Sequence, residues 1–255
     1  MRTKWLTIAL LAGWAAPARG LVVTPARTEV NLIPGATTSL ELTATNDDKV
    51  EVQVDVSKKD WFVPAANKAW TVGRWLDVRG PARFDLKPGE SRKVRGDVAC
   101  PKDMAGEVVA MVSFTYRTEQ QSMVTPMISV SVYLMAAGTE IRSGEVVDIM
   151  VRRNQDQLGL SAMVKSTGNV HLRPRGRLVA LDAKGGEVAV VPVPMGQPTY
   201  PGMAVLYSGS APFPPKLAPG TYVAKAELYY QDVQLEKTKE FTVLPDGQVQ
   251  MSPIK

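Results

Sequence analysis

The sequence predicts an all-β chain built as two sandwiches in tandem, and three observations predict it. Apolar and polar residues alternate with period two over many short segments, as half-buried strands require. Pro-Gly recurs at 34–35, 88–89, 201–202 and 219–220, and a strand-like run follows each time. Proline at the first central position of a turn and glycine where φ must be positive reverse the chain between strands. Convincing amphipathic helix patterns are missing, and the turn signals recur at the spacing of sandwich strands.

The 255-residue chain opens with Arg2 and Lys4, continues through an apolar run from Trp5 to Ala16, and reaches Ala16-Pro17-Ala18 and Gly20. That is the layout of a secretory signal peptide, read as residues 1–20 with cleavage after Ala18 or Gly20 and delivery to the periplasm. The run is shorter than the roughly 18–20 residues a spanning helix needs, so no transmembrane segment is expected in the mature chain. Three of the 30 basic residues, Arg2, Lys4 and Arg19, belong to the signal, which leaves 27 against 25 acidic ones. The formal charge of +5 is therefore mostly targeting. No lysine or arginine block with interleaved aromatics follows, and nucleic acid is not an expected partner.

In the mature chain Leu40, Leu42 and Ala44 alternate with Glu41, Thr43 and Thr45, and Val50, Val52, Val54 and Val56 with Glu51, Gln53, Asp55 and Ser57. Split by Asn46-Asp47-Asp48, the two segments read as a hairpin. Further strands are expected at 82–86, 91–98, 106–117, 127–135, 146–152, 158–165, 175–181, 187–192, 203–208, 222–230 and 235–244. Ala136-Ala137-Gly138-Thr139 is the natural boundary, giving one immunoglobulin-like domain over 21–137, a second over 140–245, and a disordered polar tail over 246–255. Tyr222, at the head of a late strand after Leu217-Ala218-Pro219-Gly220-Thr221, is read as a corner-pinning tyrosine.

Little in the chain suggests chemistry. Cys100 is the sole cysteine, so no intrachain disulfide forms, and His171 is the sole histidine, so neither a histidine-rich nor a thiolate metal site is expected. Ser166 and Asp182 lie near His171 in sequence, but no strand-turn-helix elbow surrounds a serine. The carboxylates read as solvated strand faces, and Gly185-Gly186 as a hairpin turn. Trp61, Trp70 and Trp75 cluster with Phe62 in an irregular stretch; they either contact a sugar or peptide or close one end of the core, and the second reading is favoured. Neither catalysis nor a cofactor is expected.

Several segments carry a resemblance: Val23-Thr24-Pro25-Ala26-Arg27, Pro34-Gly35, the strand ending Thr45-Asn46-Asp47-Asp48, Phe84-Asp85-Leu86-Lys87-Pro88-Gly89, and Ile128 to Leu134 before the boundary. In pattern and order they resemble the periplasmic pilus-assembly chaperones, two-domain immunoglobulin-like proteins that cap subunits by lending them a β-strand. The resemblance implies that Arg27 anchors a subunit's C-terminal carboxylate in the cleft between domains. Ser131 stands where the family places a lysine. It also implies that Val124, Ile128 and Val130 form the stripe that enters the subunit's groove, whereas Ile128, Val130, Val132 and Leu134 filling their own core is the competing reading. The connection from Thr118 to Pro126 is modest for such a donor hairpin. Ser166-Thr167-Gly168-Asn169-Val170, Tyr200-Pro201-Gly202 and the terminal Lys239 to Val243 resemble the second domain of bacterial cell-surface proteins.

The expected partners are therefore secreted or pilus-like protein subunits. The alternative is a structural or adhesive protein associated with the cell envelope that chaperones nothing.

Overall fold

The computed structural model describes residues 20–118, 125–214 and 217–252. Val124 and, apart from Gly20, the whole expected signal peptide lie outside them. Among the described residues no helix is long and apolar enough to cross a membrane.

The first group of strands is β1 (Leu21–Thr24), β2 (Arg27–Leu32), β3 (Thr37–Asn46), β4 (Val52–Phe62), β5 (Leu76–Arg79), β6 (Arg83–Leu86), β7 (Ser91–Ala99), β8 (Glu107–Arg117) and β9 (Met127–Ala136). They form two sheets, ordered β1-β3-β7-β5 and β2-β9-β8-β4-β6, with a short helix α1 (Val72–Trp75) before β5. One sheet of first, second, fifth and fourth strands against another carrying the last two is the immunoglobulin arrangement. Alternation along each strand turns Leu42, Val54, Leu86, Val112, Phe114, Val132 and Leu134 into one buried core. Full burial of each such side chain is worth about 1.5–3 kcal/mol.

The second group is β10 (Gly144–Asn154), β11 (Gln157–Ser166), β12 (Arg175–Leu181), β13 (Glu187–Val193), β14 (Ala204–Pro212), β15 (Gly220–Tyr230), β16 (Val233–Val243) and β17 (Val249–Met251). The sheets are β10-β11-β14 and β13-β12-β15-β16-β17, closing over Ile149, Leu160, Leu178, Val191, Ala226 and Phe241. The chain is thus all-β, two immunoglobulin-like sandwiches in tandem. The Gly185-Gly186 hairpin joins β12 to β13, and the Tyr222 hydroxyl donates to the Ala218 carbonyl at 2.8 Å, the corner contact expected of it.

Two expectations are corrected. The segments around Asn46-Asp47-Asp48 are not a hairpin: β3 pairs with β1 and β7, β4 with β6 and β8, in opposite sheets. Each has one apolar face, and the two faces meet across the core instead of lying side by side. Fully buried Asn46 holds that crossover, its amide donating to the carbonyls of Val50 (2.8 Å) and Leu86 (2.9 Å). The polar tail is also ordered in part, since β17 pairs antiparallel with the end of β16 and Val249 and Met251 pack against the second core.

Candidate binding site at the seam between the sandwiches

The outer face of the sheet holding β2, β9, β8 and β4 looks toward the second sandwich. Register sets its rows. Arg27, Ser131, Met111 and Lys59 lie side by side in the first, and Glu29, Tyr133, Val109 and Phe62 in the next. Glu107 shares the third with Met135 and Asn31. Phe62 reaches this face because a register shift between Asp60 and Phe62 interrupts the alternation of β4.

The second sandwich presents the segment between β11 and β12. Leu172 exchanges backbone hydrogen bonds with Thr199 (2.9 and 2.8 Å) and points into its own core, so its neighbours His171 and Arg173 point the other way, across the seam. Pro174 keeps Arg173 extended. Glu107, fully buried, accepts from the His171 backbone N–H at 2.8 Å and faces its Nδ1 at 2.7 Å. Arg173 donates to the Tyr133 hydroxyl at 2.8 Å and to the Gly196 carbonyl at 2.7 Å. The Tyr133 and Tyr200 hydroxyls lie 3.0 Å apart, Trp61 Nε1 donates to Tyr200 at 3.1 Å, and Phe62 stacks on the Tyr200 ring at 4.8 Å. Burial first, and then the Tyr133 contact, pushes the Tyr200 phenol well above its ordinary pKa, so it stays neutral.

Asn169 stitches the same seam at the backbone. Its carbonyl accepts from Glu107 N–H at 3.1 Å, and its side chain bonds Thr139 O (2.9 Å) and Ile141 N–H (2.6 Å) in the connecting segment. Gly106 permits this approach: φ is +72°, and a Cβ there would lie 2.4 Å from the Asn169 carbonyl oxygen.

The expected site residues divide. Arg27 and Ser131 are register partners in the parallel pair of β2 and β9, so the structure brings them together. The Arg27 side chain is 44% exposed and its Nε lies 2.9 Å from Glu29 Oε1; Ser131 Oγ donates to Met111 Sδ at 3.4 Å. Val130 has no exposed surface and lies in the first core with Val132 and Leu134, and Ile128 packs against it. For those side chains the competing reading, their own core, is the one observed. Ser166 and Asp182 do not meet His171: Ser166 Oγ donates to Val170 O at 3.5 Å, and Asp182 accepts from the amides of Lys184 and Gly186 in its turn.

β9 has an open stretch beside Arg27. β2 pairs with β9 only from Ser131 onward, so Met127 to Val130 have β8 on one side and, among the described residues, no strand on the other. Tyr116 N–H donates to Pro126 O at 3.1 Å. Antiparallel alternation then turns the amides of Ile128 and Val130 toward β8, and those of Met127 and Ser129 toward the open edge.

Sequence reading missed Glu29, Glu107, Arg173 and Tyr200. Glu107 begins the continuous apolar run Val108-Val109-Ala110, which was its one available signal.

No protein-family model matches the chain. No curated protein matches it. Among solved structures it is similar to the class 5 fimbriae chaperone CfaA, 13% identical over 92% of this chain and 100% of that one, with a TM-score of 0.46. It is similar to the E. coli chaperone DraB at 15% identity, 86% and 96% coverage and a TM-score of 0.42. The Pseudomonas aeruginosa CupB2 chaperone is 9% identical, with 86% and 98% coverage and a TM-score of 0.46. At these values the likeness adds nothing to the site, and the fold class rests on the strand orders and the two cores themselves.

Proposed function

We propose that this is an exported periplasmic chaperone-like protein that holds an extended segment of a secreted or pilus-like subunit along the open edge of β9. The supporting observation is that Arg27 stands at the point where that edge opens. A segment added there parallel to β9 runs in line with β2 and ends, at its C-terminus, against the start of β2, beside the Arg27 guanidinium. Backbone groups of Met127 and Ser129 hold the segment, and a carboxylate at its end meets a cation able to bind it in two-pronged fashion. Because Ile128 and Val130 serve their own core, the edge rather than a donated stripe supplies the contact.

The test is affinity purification of the tagged protein from its native envelope fraction, wild type beside Arg27→Ala, with mass spectrometric identification of what accompanies it. A secreted subunit retained by the wild type and lost with Arg27→Ala is expected. The same envelope partners in both samples would instead favour the structural or adhesive reading, and no accompanying polypeptide in either would overturn both.

A further inference from the structure

Glu29 stands between two guanidiniums and the His171 ring and satisfies only one of the three. Its Oε1 is 2.9 Å from Arg27 Nε but 3.9 Å from both Arg173 Nε and His171 Nε2, beyond hydrogen-bond length. Those two atoms are buried and, among the described residues, have no hydrogen-bond partner; their side chains are 7% and 2% exposed. Buried polar atoms are almost always paired, so two orphans at the same distance from one carboxylate oxygen need an explanation. Strand pairing supplies part of it: Glu29 is held opposite Tyr133 in the ladder of β2 and β9 and cannot slide deeper into the seam. His171 Nδ1 is committed to Glu107, which leaves Nε2 to donate to an anion when the ring carries both protons.

We propose that Arg27, Arg173 and His171 form one carboxylate site shared by the two sandwiches, and that Glu29 is its internal occupant, displaced by the C-terminal carboxylate of a bound segment. This rests on the reading of the β9 edge given above and deepens it. A second cation, Arg173, comes from the other sandwich. A carboxylate not tethered to β2 can settle between the guanidiniums and bond Arg173 Nε as well as Arg27. Glu29 is 31% exposed and lies beside exposed Arg27, which marks the side from which the ligand enters. Competition by Glu29 weakens binding and restricts the site to ligands that offer a better-placed charge.

Two measurements on the full mature chain test this. The first uses acetate as probe. Glu29→Ala leaves a space of carboxylate size between the two guanidiniums and the His171 ring, so its melting temperature should rise in sodium acetate above that in sodium chloride of equal ionic strength, while wild type shows no difference. Equal melting in the two salts for the variant overturns the site, whatever the fate of the β9 reading.

The second uses a synthetic peptide of alternating valine and threonine with a free C-terminal carboxylate, beside its C-terminal amide, followed by fluorescence anisotropy. Glu29→Gln should bind the free acid about tenfold more tightly than wild type, the size expected for release of one charge-assisted hydrogen bond. Arg173→Gln should lose that gain while still binding the amide. Acid and amide bound equally by every variant would sink the carboxylate site and leave edge binding intact. If neither peptide binds any variant, the β9 reading fails and the acetate result alone decides the site.

Discussion

Trp61 and Trp75, which the sequence places in one irregular stretch, lie in β4 and α1 and meet opposite fates. Trp75 is 1% exposed and lies in the first core, whereas Trp61 is 52% exposed and reaches over the seam to Tyr200. Trp75→Ala should cost about 3–5 kcal/mol, because a large cavity is left in a packed core. Trp61→Ala should cost no more than about 1 kcal/mol, one partly exposed hydrogen bond. Urea unfolding of both variants checks the contrast. The favoured reading of the cluster as core holds for Trp75 and, in part, for Trp70, which packs against that core; it fails for Trp61. Nothing local separates them, since a stretch without period two does not say which side of the chain faces inward. Glu107 makes the same point from the other direction: taken for a solvated strand residue, it is fully buried because a second sandwich covers it.

At the scale of elements, β9 carries the argument. Its even positions fill the first core, its odd positions lie on the outer face, and among the described residues its first four leave one edge open. Ser129→Pro removes an amide N–H directed at that edge without removing one given to β8, and proline is tolerated on edge strands. Partner retention should therefore fall sharply while far-UV circular dichroism stays unchanged. Ser129→Ala is the control, because it loses only the hydroxyl contact to Ser113 (2.8 Å) and should retain the partner. Equal retention by both variants would count against the open edge as the contact. The strands themselves were legible from alternation and turn residues, but their partners were not. Period two says that a strand has an apolar face; it does not say whether the next strand lies beside it or across from it, which is how β3 and β4 came to be read as a hairpin.

At the scale of the whole molecule, the seam joins two cores through a buried carboxylate. Removing Glu107 leaves the buried His171 backbone N–H and Nδ1 without their partner, so Glu107→Ala should cost about 1–3 kcal/mol for each. Beyond residue 20 the tryptophans are Trp61, Trp70 and Trp75, all in the first sandwich, so in a chain beginning there indole fluorescence reports that sandwich while far-UV circular dichroism reports both. The two urea transitions should coincide in wild type and separate in Glu107→Ala. Coincidence in both would mean that the sandwiches are not coupled through this pair.

The amino-acid sequence by itself determined the β class, most strand positions and the turns, because alternation and turn chemistry are local and survive without knowledge of neighbours. Tertiary structure alone decided that Glu29, Glu107, His171, Arg173 and Tyr200 converge, since these residues come from separate strands and loops of two sandwiches. Whether a charged side chain is solvated or buried depends on what is packed above it. That covering element lies far away in the chain, where no local pattern records it.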